Sequence, residues 1–226
     1  MTSDRYARMS ARVHQLIDNF QYYLECYEAR PAFDHRQLTH HLEALRLREA
    51  LGGAEAAARD PAYARSLKRT LGAWGLNQRG SRLVDDGLFA AALAERADDI
   101  ARLAPLRIAD DMDDGTIRTI WHIAESLAIT DNLSRLVPAT KALHHLLPDL
   151  VVPMDREYTQ LFFGWHGPEI QGGATVFVYS FAWFRTIARA VDPARFVGRH
   201  PWNTSVTKVV DNAIVGFRCH EISRAA

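Results

Sequence analysis

Apolar residues recur at three- and four-residue intervals over most of the chain, which predicts helices rather than strands. Val13, Leu16, Ile17, Phe20, Tyr23, Leu24 and Tyr27 read as one continuous N-terminal helix. Pro31 ends it, because proline removes a backbone donor and clashes with the preceding turn. Leu38, Leu42, Leu45 and Leu47 predict a second helix, broken at Gly52-Gly53. Asp60-Pro61 then marks a third start, with aspartate as N-cap and proline in the first turn. Its inward residues are Tyr63, Leu67, Leu71 and Trp74, and Gly72 and Gly75 allow close approach of a neighbouring helix.

Asn77 to Ser81 reads as a turn, and a helix from about Leu83 to Leu103 should turn Leu88, Ala91, Ala92 and Ile100 inward. The acidic run Asp110 to Asp114 predicts a solvated loop that caps the next helix, whose core face is Ile117, Ile120, Trp121, Ala124 and Leu127. Asp131 or Asn132 can cap the following helix, which reaches Leu147 before Pro148. Another should begin at Pro153 and carry Tyr158, Leu161 and Phe162. After the glycine-rich connector Gly164 to Gly173, Phe177, Phe181, Phe184 and Ile187 favour a helix over Ala174 to Val191, with a short strand over Thr175 to Tyr179 as the competing form. Asp192-Pro193 stops it. Thr204 to Phe217 reads as the final helix, capped by Thr204 or Ser205. The expected architecture is all-α: a single compact multi-helix domain over 1–226, with the N-terminal helix packing as an extension.

Composition narrows the function classes. The chain has 226 residues, 48% hydrophobic and 24% charged, the balance of an ordinary globule. Its 27 basic and 27 acidic residues cancel, which excludes attachment to nucleic acid by bulk charge. Position matters more than the total: Arg65, Lys68, Arg69, Arg79 and Arg82 form a local basic stretch. It reads either as a solvated face or as a phosphate-contacting strip. Cys26 and Cys219 stand alone near opposite ends, so neither a disulfide framework nor a CxxC metal pair is expected. Met1 to Arg12 lacks an apolar signal region, and no apolar run approaches the ~20 residues of a membrane span. A cytoplasmic location without membrane partners is the expectation.

The densest chemistry lies between Thr140 and Thr159. Lys141 and His145 are four residues apart and share a helix face. Pro148 and Pro153 bracket a crossing, after which Asp155, Arg156 and Glu157 should occupy the first turn of the next helix. Lys141 and Asp155 then have three readings. They form a half-buried ion pair; they form an amine nucleophile with a carboxylate helper; or Lys141 and Arg156 hold a ligand's anionic group. His144 and His145 suggest metal, but adjacent helical positions diverge by ~100° and no HExxH motif is present. No metal or cofactor is expected. Trp74 reads as core or as a base-stacking residue. Lys208 and Asp211 are three apart, and Asp211 and Asn212 interrupt an otherwise apolar run, so burial would demand partners, which Arg156 or Asp155 could supply.

The Lys141 to Tyr158 segment resembles a recurring pattern in bacterial proteins of unassigned function: lysine, leucine-histidine, a proline-containing turn, then proline and aspartate. It is also distantly similar to the helix-hairpin-helix DNA glycosylases and lyases. That resemblance matches Lys141 to the lysine that forms a Schiff base in bifunctional members, and Asp155 to the aspartate that follows. The family's glycine-bearing hairpin corresponds here to Leu136 to Thr140, which has no glycine. The resemblance implies a glycosylase-like helical fold and a protein that binds DNA or acts on damaged bases, which must be flipped from the duplex. Lys141 and Asp155 would be catalytic; Trp74, Arg79, His145, Arg156, Tyr158, Lys208 and Asp211 would contact DNA or another anionic ligand. The residues alone leave open a non-enzymatic helical protein in which Lys141 and Asp155 form a core ion pair.

Overall fold

The helical periodicity is realised almost throughout. A computed structural model describes residues 3–77, 82–131, 135–167, 169 and 173–225. Its α-helices are α1 (Ser3–Asp18), α2 (Phe20–Ala29), α3 (His35–Ala50), α4 (Ala54–Arg59), α5 (Pro61–Ala73), α6 (Asp86–Glu95), α7 (Ala97–Leu103), α8 (Asp114–Ser126), α9 (Leu136–Leu146), α10 (Thr159–Phe163), α11 (Ala174–Val191) and α12 (Val206–Ala225). A short 3₁₀ turn covers Pro193–Phe196. Among the described residues the extended backbone amounts to one isolated bridge, Leu83 to Thr130. The strand alternative over Thr175 to Tyr179 is therefore replaced by helix α11. No described helix is long and apolar enough to cross a membrane.

Several boundaries follow the local chemistry read from sequence. Asp60 accepts from the Tyr63 amide at 2.7 Å, and Asp113 from Thr116 at 2.6 Å, so each satisfies a first-turn donor. Asp34 and Gln37 form a reciprocal capping box on α3. The Ser205 hydroxyl receives the Lys208 amide at the start of α12.

Other boundaries differ. The N-terminal run is two helices, because Asn19 leaves the helical region between α1 and α2. The expected Leu83–Leu103 helix is also split, at Arg96, and its inward phase moves by one residue. Leu88 is 60% exposed and Ala91 is exposed, while Phe89 and Leu93 are buried. The predicted helix at Pro153 begins only at Thr159, so Asp155, Arg156 and Glu157 lie in a turn rather than in a helical first turn. The Asn77–Ser81 turn lies outside the described residues beyond Asn77.

One apolar cluster runs from Met9, Val13 and Leu16 of α1 to Val209, Ala213 and Phe217 of α12. Beside it sits a smaller cluster of Tyr27, Trp202 and Val215, with Phe33, Trp74, Tyr158 and Cys219 packed against it. That second cluster holds the polar residues of interest.

Candidate functional site

Four elements meet at Lys208. Its side chain is fully buried, yet it carries an ammonium group. The Nζ donates to Asp211 Oδ2 at 2.6 Å and to Asn212 Oδ1 at 2.7 Å, one turn on along α12. The rings of Phe33, Trp202, Tyr27 and Trp74 surround it with centroids at 5.1, 5.2, 5.7 and 5.7 Å. A cation in such an aromatic box gains from the negative ring faces. Asn212 passes the network on, donating to the Trp202 carbonyl at 3.1 Å and to Asn203 Oδ1 at 2.9 Å. Asn203 donates to Glu28 at 2.7 Å. The interruption of the apolar run by Lys208, Asp211 and Asn212 is thus met within α12 and the loop before it. Arg156, one of the partners expected for Asp211, is exposed instead.

Lys141 lies on the other flank of Trp74, on α9. Only 9% of its surface is exposed. Its Nζ donates to the Trp74 carbonyl at 3.1 Å and stands 5.9 Å from that ring's centroid. Burial holds its pKa below the ordinary lysine range; Asp155 and Asp211 oppose that shift, and Lys208 adds to it. Asp155 feels Lys141 electrostatically but does not pair with it. Its Oδ1 instead accepts from the backbone amides of Tyr158 at 2.7 Å and Thr159 at 3.3 Å, closing the turn that precedes α10. The core ion pair expected between Lys141 and Asp155 is therefore not formed, because the carboxylate is committed to that turn and the ammonium to the end of α5.

The histidines form a directed chain. His145 Nδ1 lies 2.7 Å from the Lys141 carbonyl, which only accepts, so Nδ1 carries the proton. His145 Nε2 is then an acceptor for His41 Nδ1–H at 2.9 Å, and His41 Nε2 accepts from the Thr204 hydroxyl at 2.8 Å. Burial lowers the pKa of His41 well below the usual value and that of His145 to about 4, so both rings are neutral. His144 takes a separate path: its Nδ1 donates to the Val151 carbonyl at 3.0 Å, leaving Nε2 as a buried lone pair without a partner among the described residues. Trp74 Nε1 and Tyr27 Oη are likewise buried without partners there. The two adjacent histidines, with ring centroids 5.3 Å apart, serve different hydrogen bonds. No metal-holding group of three His, Cys, Asp or Glu side chains exists among the described residues.

Tyr158, half-buried, meets Phe33 edge-on at 6.1 Å, and burial together with Glu157, Cys219, Asp155 and Asp211 pushes its phenol up to about 12. Of the residues expected from sequence, Trp74, Lys141, His145, Tyr158, Lys208 and Asp211 thus converge, with Asp155 beside them. Arg156 points to solvent, and Arg79 lies outside the described residues. The sequence reading missed the part that Tyr27, Phe33, His41 and Trp202 play here, while Asn212 stands out there only as a polar interruption of an apolar run. The available signal was that aromatic residues flank polar positions in three separate segments, which becomes a cage only in three dimensions.

Three residues of the basic stretch have acidic neighbours. Lys68 bonds Asp86 at 2.6 Å, Arg69 bonds Glu43 at 3.0 Å, and Arg82 approaches Asp131 at 4.0 Å. A surface hollow of about 410 Å³ lies elsewhere, between α7 and α8. Its charged walls are already occupied: Arg96 with Asp99 at 3.5 Å, and His122 facing Glu125 at 3.9 Å. It therefore shows less unused chemistry than the buried cluster. No protein-family model, curated protein or solved structure gives a significant match to the chain.

Proposed function

We propose that Lys141 is the reactive amine of a recessed site that captures an aldehyde, and that the aldehyde is the opened sugar of an abasic site in nucleic acid. The observation that carries this reading is a nearly buried lysine with no carboxylate in contact. An unpaired ammonium is costly in such a place, so the neutral amine, which is the nucleophile, becomes available at lower pH than for a solvated lysine. Asp155 supplies negative potential nearby, and Trp74 offers a ring against which a base or sugar can rest. The balance of two ammonium groups, Lys141 and Lys208, against two carboxylates, Asp155 and Asp211, suits a neutral reacting group better than a bare phosphate. The acidic neighbours of Lys68, Arg69 and Arg82 argue the same way, since they weaken the stretch as a track for a duplex backbone. A glycosylase-like arrangement of the helices belongs to this reading and rests on the resemblance of the Lys141 to Tyr158 segment.

The test is incubation with an oligonucleotide bearing one abasic site, followed by borohydride reduction. A covalent adduct mapped to Lys141 supports the reading, and its absence across pH 6 to 9 sinks it.

A second reading has its own observation. The Lys141 ammonium reaches the carbonyl that ends α5, and Gln37 holds the preceding carbonyl, of Ala73, at 3.0 Å. A cation there satisfies an orphan acceptor and complements the helix dipole. In that case Lys141 is a structural clamp, Lys141→Met lowers the melting temperature, and no aldehyde adduct forms.

A further inference from the structure

We propose that Trp74 Nε1–H and His144 Nε2 together read a hydroxyl group on the aldehyde that Lys141 captures. The inference rests on the aldehyde-capturing reading above and narrows its substrate class to hydroxylated aldehydes.

The two atoms are a matched and unused pair. His144 Nδ1 donates to the Val151 carbonyl at 3.0 Å, so the neutral ring presents a lone pair at Nε2. Its side chain is fully buried, which holds its pKa well below the usual histidine value and keeps that lone pair free at neutral pH. Trp74 Nε1 is a donor only. Both atoms are buried without a hydrogen-bond partner among the described residues, so they are not bonded to each other. Their rings are neighbours all the same, with centroids 6.2 Å apart and planes inclined by 26°. A buried polar atom left unbonded is costly, and a donor and an acceptor unbonded on neighbouring rings point to one shared guest. A hydroxyl fits, because its oxygen accepts from the indole while its hydrogen goes to the imidazole. An ionised carboxylate or phosphate has no hydrogen for His144, and an ammonium has no lone pair for Trp74.

The pair adjoins the Lys141 amine. Lys141 Nζ donates to the Trp74 carbonyl at 3.1 Å and stands 5.9 Å from the indole centroid. His144 follows Lys141 by three residues on α9, so the two side chains share a face. Trp74 therefore meets the amine with its backbone and the guest with its ring edge. His41 backs both rings, 5.2 Å from Trp74 and 5.7 Å from His144, and its own nitrogens are committed to His145 and Thr204. The opened sugar of an abasic site carries the required group. Ring opening frees the aldehyde at C1 and leaves a hydroxyl on C4, three bonds along the chain, while the C3 and C5 oxygens stay esterified to phosphate.

The test uses the full chain and two oligonucleotides, one with an abasic site and one whose acyclic linker bears the aldehyde without the C4 hydroxyl. Lys141 adducts are trapped with borohydride, and the readout is the ratio of the two rates. Differences in ring opening cancel when that ratio is compared between proteins. Trp74→Phe keeps a ring and removes the N–H; it is expected to lower the ratio about tenfold, as for a site that hydrogen-bonds a substrate hydroxyl. A general loss of packing would slow both reactions and leave the ratio unchanged, which overturns the proposal. A second measurement needs only the wild type. The Trp74 indole N–H proton signal should move downfield on adding the borohydride-reduced abasic oligonucleotide, and stay in place with the tetrahydrofuran analogue, which has no free hydroxyl. The same response to both overturns the proposal even if Trp74→Phe does not fold, and leaves an ordered water as the guest. If neither aldehyde gives an adduct, the aldehyde reading has failed and this proposal falls with it; an adduct whose rate ratio ignores Trp74→Phe sinks this proposal alone.

Discussion

His41 donates a hydrogen bond to His145 across 2.9 Å, and both rings are neutral in the folded chain. The bond joins α3 to α9 in the floor beneath Trp74. It survives only while His145 Nε2 is unprotonated, because a second proton on His145 removes the acceptor.

Acid should therefore destabilise this protein earlier than carboxylate titration alone would. Burial lowers the folded pKa of His41, His144 and His145, so below the usual histidine value the unfolded chain binds more protons. The stability they contribute is complete above about pH 6.5 and is lost as pH falls; for His145 the loss continues to about pH 4. That one ring corresponds to about 3 kcal/mol over the window. Urea midpoints measured from pH 7.5 to 5 should fall steadily. A flat profile over that range would remove the neutral histidine chain.

Breaking the caged ion pair should cost more than removing it whole. Lys208→Met leaves Asp211 buried and unpaired, and a loss of about 3–5 kcal/mol is expected. Adding Asp211→Asn to Lys208→Met should recover part of it, because the uncompensated charge is gone. A double-mutant cycle by chemical denaturation gives the coupling. Strict additivity of the two single losses would show that the 2.6 Å pair contributes little.

At the start of α5, Asp60→Ala should cost about 1 kcal/mol, the usual value of an N-cap, through loss of the 2.7 Å bond to the Tyr63 amide. Asn at the same position should restore most of it. Equal stability for Ala and Asn, by thermal denaturation, would contradict the capping role.

These cases show which parts of the molecule sequence could reveal. Caps and breaks were legible because their chemistry is local: Asp60 with Pro61, Asp113 before α8, and Asp192-Pro193 after α11 each act within a few residues. The inward phase of α6 was not legible, since Leu88 and Phe89 are adjacent and both apolar; only packing chooses Phe89. The Pro153 start failed because the segment to Tyr158 is held by Asp155 as a turn, an outcome decided by side-chain to backbone bonding rather than periodicity. At the site, Lys141, Lys208 and Asp211 stood out as polar residues in apolar runs. Their partners did not, because Phe33, just before α3, His41, within it, and Trp202, before α12, come together only in the fold. Glycine roles were also misassigned. A methyl group added at Gly72 would meet only Asn77 Nδ2, at 3.9 Å, and one at Gly75 would meet nothing within 4 Å, so neither marks close approach.

The close approach is at Gly216. A Cβ there would stand 1.9 Å from the Tyr23 carbonyl oxygen, 2.9 Å from its carbon and 3.2 Å from the Tyr27 amide nitrogen. All three are backbone atoms of α2, so no side chain can rotate away, and α2 and α12 must separate. Separation would also loosen Tyr27, a wall of the Lys208 cage. Gly216→Ala should thus destabilise by about 3 kcal/mol or more, at the upper end of overpacking, despite alanine's better helix propensity. Gly72→Ala is the control: it lies within α5, meets nothing closer than 3.9 Å, and should be neutral or gain up to about 1 kcal/mol. Chemical denaturation of the two variants settles the contrast. If Gly216→Ala is as stable as Gly72→Ala, the two helices are not in backbone contact, and the cage they support needs another explanation.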